Sequence, residues 1–223
     1  MDPIQEWTAA QQRVIELVSG LSEEQAHAAV PACPDWSIRE LLSHMVGLGA
    51  DVLDGDEPDD HNSVWTQGQV DKRADRDIAA LIEEWQTLGA PLTAWMREHS
   101  AGPLGDVAIH EQDLRGALRV AGAQDSAALA DLRDTFVEQF GAKIEDLPPI
   151  ALIGDSWTWT SRGNADDAET ALQAGDFDLG RALLSRRSAA QLRGWTVRGD
   201  IGPYLDAFTA LGDLPSENLT ETF

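Results

Sequence analysis

Three side chains of this sequence have the types and spacing for metal chemistry. Asp106 and His110 stand four residues apart in GPLGDVAIHEQDLRGAL, residues 102–118. Residues four apart on a helix are neighbours on its surface, so this carboxylate and imidazole can point at one object. Placed that way, they can chelate one divalent ion. His44 is the third. It lies one turn beyond Leu41 and one turn before Leu48, on the apolar stripe of another helix. Facing side chains in the core of a helix bundle are a common source of metal sites. Two imidazoles and a carboxylate would hold zinc with a position left for an exogenous ligand, the pattern of catalytic sites. Against this stands a plainer reading, in which a histidine on an apolar face is a hydrogen-bonded core residue and an exposed Asp–His pair does nothing. His27, His61 and His99 read as surface residues, in a polar segment, an acidic loop and a helix C-terminus.

The elements that must position these groups are helices. Residues 3–20 carry Ile4, Trp7, Ala10, Val14 and Leu17 at helical spacing after an early proline. A short polar helix, SEEQAHAAV, follows, and PACPDW, with its two prolines, predicts a turn. Ser37-Ile38-Arg39-Glu40 is a capping box that opens the helix of Leu41, Met45, Leu48 and Val52. Residues 54–71 predict a long acidic loop, and residues 71–99 a long helix kinked or broken at Pro91. Pro103 suits the first turn of the helix carrying Asp106 and His110, and Gly122 its end. Residues 125–144 predict a further helix on Leu129, Leu132, Phe136, Val137 and Phe140.

The pattern changes at Leu147-Pro148-Pro149. Beyond it IALIGDSWTWTSR has strand character, 166–174 predicts a second strand, and 176–186 and 203–211 predict helices. The expected organisation is a mainly α chain, with a bundle of four or five helices over 1–146 and a small α/β domain over 147–223.

The chain of 223 residues is long enough to bury a substantial core. Its 16 Lys and Arg against 39 Asp and Glu give a formal net charge of −23. That argues against nucleic acid and against an anionic membrane surface, which both need concentrated positive charge. No apolar run approaches the ~20 residues of a membrane span. MDPIQEWTAAQQR has neither a basic nor an apolar leader region, and the single cysteine, Cys33, permits no intrachain disulfide; the expectation is a cytoplasmic protein.

The stretch VPACPDWSIRELLSHMVG resembles the N-terminal signature of the mycothiol-dependent maleylpyruvate isomerase family, within the DinB-like metal-binding superfamily: a Cys-Pro-x-Trp turn, then a helix ending in Leu-x-x-His. PLGDVAIHEQDLRGAL resembles the second motif, an acid and a histidine four apart followed by Asp-x-Arg. FDLGRALLSRRSAAQLRGW and GDIGPYLDAF resemble the C-terminal domain of many members. The resemblance implies a DinB-like four-helix bundle beside a small α/β domain. It also implies a divalent metal, usually zinc, held by His44, Asp106 and His110. The isomerase type has Glu where this chain has Asp106, one methylene shorter. The family's C-terminal domain supplies a catalytic arginine, for which Arg186, Arg187 and Arg193 are the candidates.

The chemistry implied is thiolate delivery, with mycothiol as cosubstrate and a small electrophile as substrate, in an isomerase or an S-transferase. A non-catalytic ligand- or partner-binding member and a metal-dependent hydrolase are the alternatives. Asp113, one turn beyond His110, either orients that histidine or forms a surface pair or cap. Arg115 is expected to pair with an acid across the bundle, Trp36 to pack at the turn, and Cys33 to be a small packing residue. No phosphate loop, nucleophile elbow or Cys-x-x-Cys pair occurs.

Overall fold

The computed structural model describes residues 1–58 and 62–221, which form two compact units. His61 lies outside the described residues. The first unit is Met1–Ala123 together with Glu221. It contains α1 (Pro3–Val18), α2 (Glu23–Ala26), the hairpin β1 (Ala29–Val30) and β2 (Cys33–Ser37), α3 (Ile38–Asp54), α4 (Ser63–Asp71), α5 (Ile78–Glu98) and α6 (Gly102–Leu118). Helices α1, α3, α5 and α6 make a four-helix bundle, in which α3 and α1 each pack on both α5 and α6. Apolar side chains fill much of its interior, with Trp7, Val14, Leu41, Leu42, Leu81 and Leu114 buried, beside buried polar groups on α3 and α6. Trp7 and Trp85 meet edge to face across α1 and α5, ring centroids 6.3 Å apart. Such pairs add about 0.5–1.5 kcal/mol beyond their buried area.

Helix α3 starts as its sequence dictates. The Ser37 hydroxyl accepts from the Glu40 N–H, and the Glu40 carboxylate accepts from the Ser37 N–H at 2.8 Å. Leu41, Met45, Leu48 and Val52 are all buried, and so is His44 on the same stripe. Gly55, at φ 73°, ends the helix in the left-handed region that glycine tolerates.

Several expectations are corrected. PACPDW is not a turn alone: Pro31 and Ala32 turn, and Cys33–Ser37 runs back as β2, antiparallel to β1. Residues 54–71 are not a continuous loop, because Asn62 caps α4 by accepting from the Trp65 N–H at 3.0 Å. The helix expected over 71–99 begins only at Ile78, where Asp77 accepts from the Ala80 N–H, and it continues through Pro91. Helix α6 ends at Leu118 rather than Gly122, because Arg119 adopts the left-handed cap at φ 57°.

The second unit, Gln124–Thr220, contains α7 (Ala127–Lys143), β3 (Ile150–Ile153), β4 (Thr158–Thr160), β5 (Thr170–Gln173), α8 (Asp176–Leu183), α9 (Ala189–Gly194) and β6 (Thr196–Arg198). Its sheet runs β4-β3-β5-β6, with β3 and β5 parallel and both edge strands antiparallel. The stretch read as one strand is a hairpin, since Gly154 N–H donates to the Trp157 carbonyl and turns the chain between β3 and β4. The segment over 203–211 is a 3₁₀ turn, Gly202–Phe208, and α9 and β6 were not anticipated. Helix α7 sits in this unit, because Val137 and Phe140 share a core with Ile150, Leu172, Leu179 and Phe208. The division between compact units therefore falls after Ala123, not at residue 147. The chain is mainly α, a helical bundle followed by a small α/β unit.

Candidate metal centre

The bundle brings His44, Asp106 and His110 together. Helix α3 carries His44, and α6 carries the other two one turn apart. His44 Nε2 lies 3.1 Å from Asp106 Oδ1, and His110 Nε2 lies 3.4 Å from the same oxygen. One ligand atom from each residue falls within 4.8 Å of the others. The two imidazoles meet edge to face, centroids 5.0 Å apart. Both histidines are buried, and the Asp106 side chain is 14% exposed. Burial works against charge on both His44 and Asp106. Their pairing outweighs it, holding His44 above and Asp106 below their ordinary values.

The far nitrogen of each imidazole is committed elsewhere. His110 Nδ1 is 2.9 Å from Asp113 Oδ2, and the Asp113 side chain is fully buried. A carboxylate only accepts, so Nδ1 carries a proton, and Nε2 is the nitrogen that faces Asp106 and His44. Asp113 thus orients His110, the first of its two expected roles. His44 Nδ1 lies 2.7 Å from Gln69 Oε1. Gln69 Nε2 in turn donates to Asp51 Oδ2 at 3.0 Å, and Lys72 Nζ donates to Asp51 Oδ1 at 3.0 Å. The Trp36 ring lies over His44, centroids 5.0 Å apart, and its indole N–H donates to Gln67 Oε1.

This donor set fits a divalent ion. Two oriented imidazole nitrogens and one carboxylate oxygen suit zinc, and three protein donors leave a position for an exogenous ligand. Residues 7–108 match the family model of the mycothiol maleylpyruvate isomerase N-terminal domain. The match covers most of the helical unit. No curated protein and no solved structure matches the chain. The maleylpyruvate isomerase match takes in His44 and Asp106 and stops just short of His110.

The remaining residues divide clearly. Cys33, expected to pack, also reaches the site's periphery: its thiol donates to Asp113 Oδ2 at 3.5 Å. Cys33, His110 and Asp113 form a second close cluster of possible ligands that shares His110 with the first. Arg115 pairs with Glu111 on its own helix at 2.9 Å, and Glu111 also takes the Arg13 guanidinium of α1. His27 and His99 are exposed, as expected, and His99 stacks on Trp95.

The candidate arginines lie in the second unit. Arg187 is fully buried, with Nε and Nη2 on Asp178 Oδ1 at 2.9 and 2.7 Å and Nη1 on the Arg186 carbonyl. Arg186 is also buried and donates to the Leu184 carbonyl. Neither is a surface charge at a helix end, whereas Arg193 on α9 is exposed.

Sequence reasoning missed Gln69, Asp51 and Lys72. Gln69 sits in the stretch read as loop, and an amide carries no signature of chemistry. The Asn62 cap was the available signal, since Asn before a short periodic run predicts a helix start.

Proposed function

We propose that this chain is a divalent-metal-dependent thiol enzyme, an isomerase or S-transferase that uses mycothiol on a small electrophilic substrate. The observation that carries the reading is the convergence of His44 Nε2, Asp106 Oδ1 and His110 Nε2, with the far nitrogen of each histidine already held. These three residues would hold the ion, and zinc is the metal their chemistry suits. A divalent ion held there would supply Lewis acidity, lowering the pKa of a thiol that reached it.

The chain's own residues do the rest. Asp106 supplies negative charge against the ion from inside a buried site. Asp113 and Gln69 fix the two ring orientations. Trp36 covers one face of His44 and walls the site on that side. The shorter Asp106 keeps its carboxylate closer to α6 than the Glu of the isomerase type would. The arginine that the resemblance gives to catalysis is proposed among Arg186 and Arg187.

The test is turnover of a panel of small electrophiles by zinc-loaded protein, with and without mycothiol. Thiol-dependent turnover supports the reading. Turnover that needs metal but no thiol replaces it with hydrolysis, and no turnover by fully loaded protein leaves a binding protein. Lysine substitution of Arg186 or Arg187 in turn is expected to lower turnover at unchanged metal content. Unchanged turnover in both variants removes the arginine from the proposal.

A further inference from the structure

The polar chain behind His44 has a fixed direction. Asp51 is buried and presents a carboxylate, which only accepts. It already receives the Lys72 ammonium on Oδ1 at 3.0 Å. The group that meets its other oxygen must therefore be a donor, so the NH₂ of Gln69 faces Asp51 and its carbonyl oxygen faces His44. Gln69 has no exposed surface, so the hydrogen bonds around it set its amide orientation. Helix α4 comes close enough for this because α3 has glycine opposite it: a Cβ on Gly47 would lie 2.5 Å from Gln69 Cβ.

From this we infer that Gln69 is a positioning residue, locked by Asp51 and Lys72, that commits His44 to the tautomer with the proton on Nδ1 and so makes Nε2 the ligand atom. A neutral histidine side chain in water prefers the opposite tautomer, with the proton on Nε2. In that form the Nδ1 lone pair would oppose the Gln69 oxygen. The lock therefore selects the minority tautomer and aims its lone pair at the site. His110 receives the same instruction from a carboxylate, Asp113. The two ligands are thus set by different devices, one charged and adjacent, one neutral and relayed. The inference rests on the proposed ligand role of His44; without an ion, Asp106 Oδ1 at 3.1 Å from Nε2 competes for the ring proton, so the lock is read with that carboxylate removed.

Two experiments on the full chain test it. The first is metal-free. In an Asp106→Ala variant, which leaves only Gln69 to decide, ¹⁵N NMR of labelled histidine reads the His44 tautomer at a pH where the ring is neutral. The expected form is Nδ1–H, reverting to Nε2–H when Gln69→Leu is added. An Nε2–H ring with Gln69 in place overturns the inference. The second is zinc affinity by chelator competition. Gln69→Leu is expected to weaken binding by about 10–100-fold, the range for lost outer partners of a ligating histidine. The double variant Gln69→Glu, Asp51→Asn keeps an acceptor at His44 and a donor behind it, and is expected to recover most of that loss. Unchanged affinity in Gln69→Leu, or no recovery in the double variant, overturns the positioning role. Wild-type protein that binds no zinc would end the functional reading, and the tautomer experiment would still decide the lock.

Discussion

Asp113, fully buried, accepts from His110 Nδ1, and in the proposed site this leaves Nε2 to face the ion. Replacing it with Ala removes the acceptor without touching the three candidate ligands. The expected outcome is zinc binding weakened by about 10–100-fold in chelator competition. Affinity equal to wild type would contradict the role. At this scale the three candidate ligands, and their convergence, were legible, because His, Asp and a spacing of four on an apolar stripe are visible in one dimension. Their supports were legible only where they sit on the same helix. Asp113 follows His110 by three residues. Gln69 reaches His44 from another helix across a stretch of acidic sequence, and nothing local marks it.

Elements position the site through their starts and close approaches. The Ser37–Glu40 box opens α3, and donation from the Ser37 hydroxyl and N–H holds Glu40 below the ordinary carboxylate value. A carboxylate lowered in the folded state contributes stability above its unfolded pKa, and that stability is lost as pH falls through the folded value. Urea denaturation of wild type and Glu40→Gln should therefore differ at neutral pH and converge in acid. A gap that persists or widens in acid would contradict this. Helices α3 and α4 meet where Gly47 leaves no space for a Cβ. Gly47→Ala should destabilise by about 1–3 kcal/mol, the usual cost of overpacking, measured by the same denaturation. A neutral or stabilising effect would contradict the close approach. The capping box was readable because its residues are neighbours in sequence. The β1–β2 hairpin was not, because its two prolines signal a turn and strand pairing is not visible in one dimension; α4 was missed although its Asn62 cap is as local as the box.

Two compact units carry the fold among the described residues, and the chain has a net charge of −23. Self-repulsion of that size disfavours the compact state, and salt screens it over a Debye length of about 8 Å at 0.15 M. The melting temperature should rise as sodium chloride is added from low ionic strength, and a fall would contradict the repulsion. No helix among the described residues is long and apolar enough to cross a membrane. The amphipathic stripe of α7 was plain in the sequence, but which core it would join was not. Periodicity shows that a face is buried and never against what, which is why the division between units was expected after α7 and falls before it.

The central claim is that His44, Asp106 and His110 hold a divalent ion. Metal content of untagged protein, measured beside His110→Ala after both are reconstituted with zinc, tests it most directly. About one ion per chain in the wild type, lost in a variant that keeps its fold by circular dichroism, is the predicted result. No stoichiometric metal in the wild type, or equal metal in the variant, would contradict it.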